Sequence, residues 1–254
     1  MKNYIFALII ILLAVSCNKE DKEAANTHHL KTIRFTNTPN SFNLLYTIYY
    51  NVDNTIQRIS QQGTTSGGTV NSHYHLYYTA SKLDSIVNVD SNGTYLPVTI
   101  RAAWTGNNMT SFWNSAYTYD SQNRVTIVNT SSGNALRYIF TTDSIALYFD
   151  PNGADPEYLS TILNLNNDVK NPFVIANNES LFPINNYVFN FINNDFKYAN
   201  TTHAIGTLKY FYSTGTLSNI QYANYSGLLD GYPTQLQISY NNSTETRLLQ
   251  FTYE

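Results

Sequence analysis

The sequence predicts an all-β protein: a long antiparallel meander of hairpins, curved or barrel-like, with one short helix near residues 156–165. Three observations carry this. Tyrosine and phenylalanine are abundant, at 22 and 13 residues, and such aromatic residues favour strands. Short runs of alternating aromatics are each followed by a polar turn. The apolar positions after those turns recur at fixed spacing, as in a degenerate repeat.

The repeat is anchored on the last tyrosine of each aromatic run. Tyr50 is followed by Ile56 and Ile59, and Tyr119 by Val125 and Val128, at offsets of six and nine. Tyr78 is followed by Leu83 and Ile86, and Tyr212 by Leu217 and Ile220, at offsets of five and eight. The second pair is the same unit with a turn one residue shorter. Each unit reads as a strand, a turn and a second strand. The strands are Tyr46–Tyr50, Tyr74–Tyr78, Tyr117–Tyr119 and Leu208–Tyr212. The turns are Asp53-Asn54, Ala80-Ser81, Asp120–Asn123 and Ser213–Gly215. Leu236–Tyr240 and Leu248–Tyr253 form a further hairpin at the end of the chain.

The β pattern breaks once. Asp155-Pro156-Glu157 suits an N-cap, a first-turn proline and an early acid, and Leu159, Ile162 and Leu163 follow at helical spacing. In the Asn-rich stretch 164–200, Phe173, Phe182, Tyr187, Phe189 and Phe191 indicate loops and one or two strands packed on the core.

The N-terminus carries a different signal. Lys2 precedes an apolar run, Tyr4–Val15, which is shorter than the ~20 residues a membrane-spanning helix needs. The run ends in Ala14-Val15-Ser16-Cys17, which resembles the lipobox of bacterial lipoproteins. That resemblance implies cleavage before Cys17, acylation of its thiol and membrane attachment through the acyl chains, since two or three chains hold firmly where one does not. The following Asn18-Lys19-Glu20-Asp21-Lys22-Glu23 resembles the export signal of Bacteroidetes surface lipoproteins. Residues 1–16 are thus read as signal peptide, 17–30 as acylated cysteine and flexible tether, and 31–254 as one β-rich domain. The expected location is the outer membrane, lipid-anchored and facing outward, with the periplasmic face as the other option. Cys17 is the sole cysteine, so no disulfide forms within the chain.

Tyr117-Thr118-Tyr119-Asp120-Ser121-Gln122-Asn123-Arg124-Val125 resembles the Tyr-Asp repeat of Rhs-like proteins, and more closely the Tyr-Asp hairpins of Bacteroidetes lipoproteins of unknown function. The resemblance implies sheet architecture and a lipoprotein setting, and no activity.

Net charge is −3 and charged residues are 12%, about half the ~25% of ordinary soluble domains, so no basic surface invites nucleic acid. Nucleophile elbows, zinc-protease motifs and phosphate loops are absent. The acids Asp53, Asp120, Asp150 and Asp230 fall mostly in predicted turns, so no carboxylate pair is proposed and no cofactor is implied. His73 and His75 share one face of a strand and are weak metal candidates, with His28, His29 or His203 as further ligands. Asp150–Asp155 is loosely like a calcium loop but lacks the closing glutamate. Trp104 and Trp113 are candidate ligand-binding residues, since flat aromatic faces stack on sugar rings, although strand aromatics more often pack in cores. Ser85 and Ser144, each in an Asp-Ser-Ile triplet, resemble the O-glycosylation site of Bacteroidetes exported proteins. The leading expectation is a non-catalytic binding or scaffold module with a glycan or protein partner. Two others stand beside it: a periplasmic carrier of lipid or another apolar ligand, and a hydrolase whose site assembles from distant strands.

Overall fold

The computed structural model describes residues 28–37, 41–90, 95–151, 157–174, 187–189, 201–241 and 243–254. The expected signal peptide, Cys17, the expected tether up to residue 27 and most of the Asp150–Asp155 loop lie outside the described residues. Sixteen strands run in order: β1 (Leu30–Asn37), β2 (Phe42–Tyr50), β3 (Ile56–Thr65), β4 (Gly68–Thr79), β5 (Lys82–Asp90), β6 (Tyr95–Thr105), β7 (Asn108–Phe112) and β8 (Ser115–Tyr119). They continue with β9 (Val125–Thr130), β10 (Ala135–Phe140), β11 (Ser144–Asp150), β12 (Tyr158–Lys170), β13 (His203–Phe211), β14 (Leu217–Leu229), β15 (Tyr232–Tyr240) and β16 (Ser243–Tyr253). Each strand pairs antiparallel with its neighbours in sequence, and β1 pairs with β16, so the expected meander closes into a barrel. Closure leaves no unpaired edge strand. Odd strands run from the end holding the described N-terminal residues, here the lower end, to the upper end.

Two neighbouring rows across six strands define the wall. Gln235, Gln250, Arg34, Leu45, Gln62 and Asn71 lie side by side and face outward. The next row, Leu236, Leu249, Phe35, Leu44, Gly63 and Val70, faces inward. Leu236, Leu249, Phe35 and Leu44 are buried in the single core. Strand alternation thus sorts polar side chains to the outside and apolar ones to the interior.

The apolar pairs three residues apart are explained by bulges. Pairing along β2 and β3 steps from Tyr49–Arg58 to Tyr50–Ile56, leaving Gln57 unpaired. The same step leaves Asp84 over in β5 and Thr126 over in β9. One inserted residue lets Ile56 and Ile59, Leu83 and Ile86, and Val125 and Val128 all face the core.

Aromatic residues late in the even strands, three of the four repeat anchors among them, clamp the lower end. The Tyr50 hydroxyl donates to the Leu30 carbonyl (2.8 Å), Tyr119 to Met109 (2.7 Å), Tyr225 to Ile205 (2.9 Å) and Tyr253 to Pro233 (2.7 Å). Trp104 Nε1 does the same to Leu83 (2.7 Å), and Tyr78 is held by the Ile56 backbone. In each case the even strand reaches back to the start of the odd strand before it. Burial pushes the Tyr50 and Tyr78 hydroxyls well above the usual phenol range and Tyr119 up to about 12. They therefore act as neutral donors. The Tyr-Asp hairpin adds a cap: Asp120 accepts from the backbone N–H of Gln122 (2.8 Å) and Arg124 (3.0 Å) and from the Arg124 guanidinium. That guanidinium lies 4.2 Å from the centre of the Phe140 ring.

Two expectations are corrected. No helix stands at 158–165, because these residues belong to β12. A bulge at Ser160 puts Leu159 and Ile162 on the outer face, while Leu163 points inward opposite Ile145 and Leu208. The spacing that imitates a helix is a strand with one inserted residue. The Tyr212 unit also differs from the other three. It lies at the upper end, where Tyr212 and Leu217 are exposed and Ile220 faces outward opposite Lys209.

Between β12 and β13 the described pieces 171–174 and 187–189 enter the barrel. Phe173 packs edge-on to Phe251 (5.7 Å) and Phe189 (6.2 Å), and Phe189 meets Tyr46 (5.1 Å). Phe173, Val188 and Phe189 are fully buried.

Candidate functional site

The wall has uneven height. β7 and β8 have five residues each, against thirteen in β12 and β14, or roughly 16 Å of strand against ~43 Å. The turn at the top of this low wall is Trp113-Asn114. Trp113 is 59% exposed and has a left-handed backbone, φ 55°. Its indole meets Tyr187 of the inserted segment edge-on at 5.3 Å. Tyr187 in turn packs edge-on to Tyr74 (5.8 Å) and Phe112 (6.2 Å). Burial, with Tyr187 beside it, pushes the Tyr74 hydroxyl up to about 12. That hydroxyl donates to Gln61 Oε1 (3.2 Å), and Gln61 Nε2 donates to the Tyr46 hydroxyl (3.1 Å). Tyr187 is thus tied to a hydrogen-bonded interior network.

The two tryptophans are not brought together. Trp104 is half-buried against the core with its N–H on the Leu83 carbonyl, so it is a clamp. The repeat tyrosines Tyr50, Tyr78 and Tyr119 are likewise used in packing, and Tyr212 is exposed.

A second polar group lines the upper interior across β1 and β14–β16. Asn37 Nδ2 donates to Glu245 Oε1 (2.9 Å), and Arg247 Nε donates to the same oxygen (3.1 Å). The Arg247 guanidinium lies 5.3 Å from the Tyr240 ring centre, and Tyr240 stands opposite Gln221. Burial raises the Tyr240 hydroxyl, Arg247 opposes the rise and Glu245 adds to it. Asn37 Oδ1, Gln221 Oε1 and the Tyr240 hydroxyl are buried without a hydrogen-bond partner. The sequence did carry this signal: Glu245 and Arg247 share strand parity with the core residues Leu249 and Phe251.

The remaining candidates lie apart. His73 and His75 do share the outer face of β4. His73 Nδ1 pairs with Ser60 Oγ (2.9 Å), and burial, Arg58 and His73 lower the His75 value. No group of three or more metal-ligating side chains occurs among the described residues. His28 lies at the lower end, 2.6 Å from Asp230, and His203 at the start of β13. Ser85 is 6% exposed, with its hydroxyl on Asp84 (3.0 Å), whereas Ser144 is half-buried at the start of β11 and paired with Thr141.

The described residues form a closed sixteen-stranded up-and-down barrel whose outer face is mostly polar across β15, β16 and β1–β4 and whose interior holds the buried core. No family profile and no curated protein matches the chain. Among solved structures, a porin-like protein from Bacteroides uniformis overlays with TM-score 0.57 at 12% identity, covering 89% of this chain and 96% of that one. A porin-like protein from Bacteroides vulgatus overlays with TM-score 0.41 at 11% identity, covering 89% and 99%. A LolA superfamily protein from Nitrosomonas europaea overlays with TM-score 0.25 at 12% identity, covering 90% and 85%. The first shares the fold; the other two overlay too loosely for comparison.

Proposed function

We propose that this protein is a lipid-anchored barrel that stands in water and binds ligands, and that it is neither a pore nor a catalyst. The polarity of the wall is the observation that carries the reading. A barrel that crosses a bilayer is apolar outside and polar within. Here the outward row across β15, β16 and β1–β4 holds Arg34, three glutamines and Asn71 beside one apolar residue, Leu45, and the inward row holds Leu236, Leu249, Phe35 and Leu44. Placing Arg34 at a bilayer midplane would cost ~2–4 kcal/mol, before the amides around it are counted. The interior is occupied by Phe173, Val188 and Phe189, which favours binding at the surface over carriage of an apolar ligand inside. Membrane attachment then falls to Cys17, and the charged tether Lys19–Glu23 supports outward display with glycans as the ligand class.

The test has two arms. Cells fed labelled palmitate should label the protein and leave Cys17→Ser unlabelled, and the purified barrel should give no conductance steps in planar bilayers. Stepwise conductance would overturn the water-facing reading, and label on Cys17→Ser would overturn the anchor.

A further inference from the structure

We infer that Trp113, held by Tyr187 at the low point of the barrel wall, is the platform on which a pyranose ring of a neutral glycan stacks. This rests on the reading of the barrel as a water-facing binding module. The first argument is conformational. A two-residue hairpin turn needs positive φ at its first position, where glycine, asparagine or aspartate is usual. Elsewhere the left-handed positions hold glycine, as at Gly106, Gly133, Gly215 and Gly231, or Asn54, Asn123 and Asp230, and the exceptions, Ser41, Ala80 and Ser81, carry small side chains. Among the described residues Trp113 is the one aromatic side chain with this backbone. A strained position that keeps a bulky, exposed side chain points to function more than to folding.

The second argument is pre-organisation. The indole is 59% exposed, yet its edge contact with Tyr187 at 5.3 Å fixes its orientation. Tyr187 is itself wedged against Tyr74 and Phe112. A rigid aromatic face loses little entropy when a ligand docks.

The third argument is the surroundings. The Trp113 backbone N–H donates to the Arg101 backbone carbonyl (3.4 Å), and the exposed Arg101 guanidinium lies 3.8 Å from Asp84. Asn114 is exposed, with its carbonyl held by the Ser131 N–H (2.8 Å). An exposed aromatic face next to the exposed Asn114, with the Arg101–Asp84 pair on the two strands alongside, suits a sugar, whose ring face is apolar and whose hydroxyls both donate and accept. A protein partner would want a wider apolar core around the indole.

Full-chain protein in detergent is titrated with laminarihexaose, cellohexaose, mannohexaose and xylohexaose, following tryptophan fluorescence and heat. At least one should bind and perturb the fluorescence. Trp113→Gly suits the left-handed turn, so it should melt at or above the wild-type temperature while losing at least ~10-fold in affinity; Trp113→Phe should lose less. Binding by Trp113→Gly within about twofold of wild type would overturn the proposal. So would a melting temperature several degrees lower, which would make the indole a structural part. If none of the four sugars binds while the palmitate and conductance results hold, this inference falls and the water-facing module stands.

Discussion

Removing one clamp hydroxyl measures what the repeat tyrosines do. In Tyr50→Phe the ring stays and only the bond to the Leu30 carbonyl (2.8 Å) is lost. Leu30 is buried at the seam where β1 meets β16, so water does not readily replace the donor. An unsatisfied buried carbonyl and a lost hydrogen bond together cost about 1–2 kcal/mol. For a barrel of this size that is about 3–6 °C in melting temperature. In urea, with a slope of about 3 kcal/mol/M, the midpoint should fall by about 0.5 M. Tyr49→Phe is the control, because Tyr49 sits one residue away on the outer face with its ring under Arg58, a contact that needs no hydroxyl. Far-UV circular dichroism during urea unfolding reads both variants. Equal midpoints for the two would refute the clamp, and the tyrosines would then contribute only through their rings.

Three other perturbations probe the wall, the cap and the upper interior. Gly63 has φ 137°, and a Cβ there would run into the Asn43 carbonyl oxygen, so Gly63→Ala should cost about 3 kcal/mol or more, seen as a lower urea midpoint. Burial works to raise the Asp120 carboxyl, but the hydrogen bonds from Arg124 and Gln122 outweigh it and hold the group below its ordinary value of 3.8. Its stabilisation is therefore complete above that value and fades as pH falls through the lowered one. The gap in urea midpoint between wild type and Asp120→Asn should be constant at neutral pH and shrink below about pH 4. Gln221→Leu removes a buried acceptor that has no partner and should raise the melting temperature by about 2–4 °C; a fall would show that the amide is satisfied in solution.

The meander was legible because strand alternation and turn chemistry act locally, and both are written in Tyr46–Asn54 and Tyr117–Arg124. Closure was only partly legible, since pairing of β1 with β16 joins residues more than 200 positions apart. The segment expected as a helix at 156–165 is strand from Tyr158 onward, because one inserted residue in a strand gives the i, i+3 spacing of a helix turn. That same spacing was read correctly at Ile56 and Ile59, where a turn lay just upstream. Parity was the missed signal. Tyr212 matches Tyr78 in spacing, but it follows an odd strand rather than closing an even one, which moves it to the other end of the barrel. Of the two tryptophans, Trp104 and Trp113 look alike in sequence, and only the ladder shows that one ends inside a strand and the other forms a turn.

The two ends of the barrel are built under different rules, and the difference locates function. At the lower end, bulges and aromatic clamps repeat, and local preference agrees with the global fold except at the left-handed Ala80-Ser81 turn and the buried, unpartnered His29 Nδ1 and Arg58 Nε. At the upper end the departures are larger. Trp113 occupies a backbone conformation that suits glycine, and Asn37, Gln221 and Tyr240 keep polar atoms buried without partners. Natural proteins depart from local consistency where a site requires it, and the rest of the fold supplies the stability that offsets the cost. The described N-terminus leaves from the lower end beside Glu254, with His28 on Asp230. A barrel tethered through that terminus would hold its consistent end toward the membrane and its strained end, with Trp113, toward the medium. A ligand arriving from outside would then meet the part of the wall that folding alone does not explain.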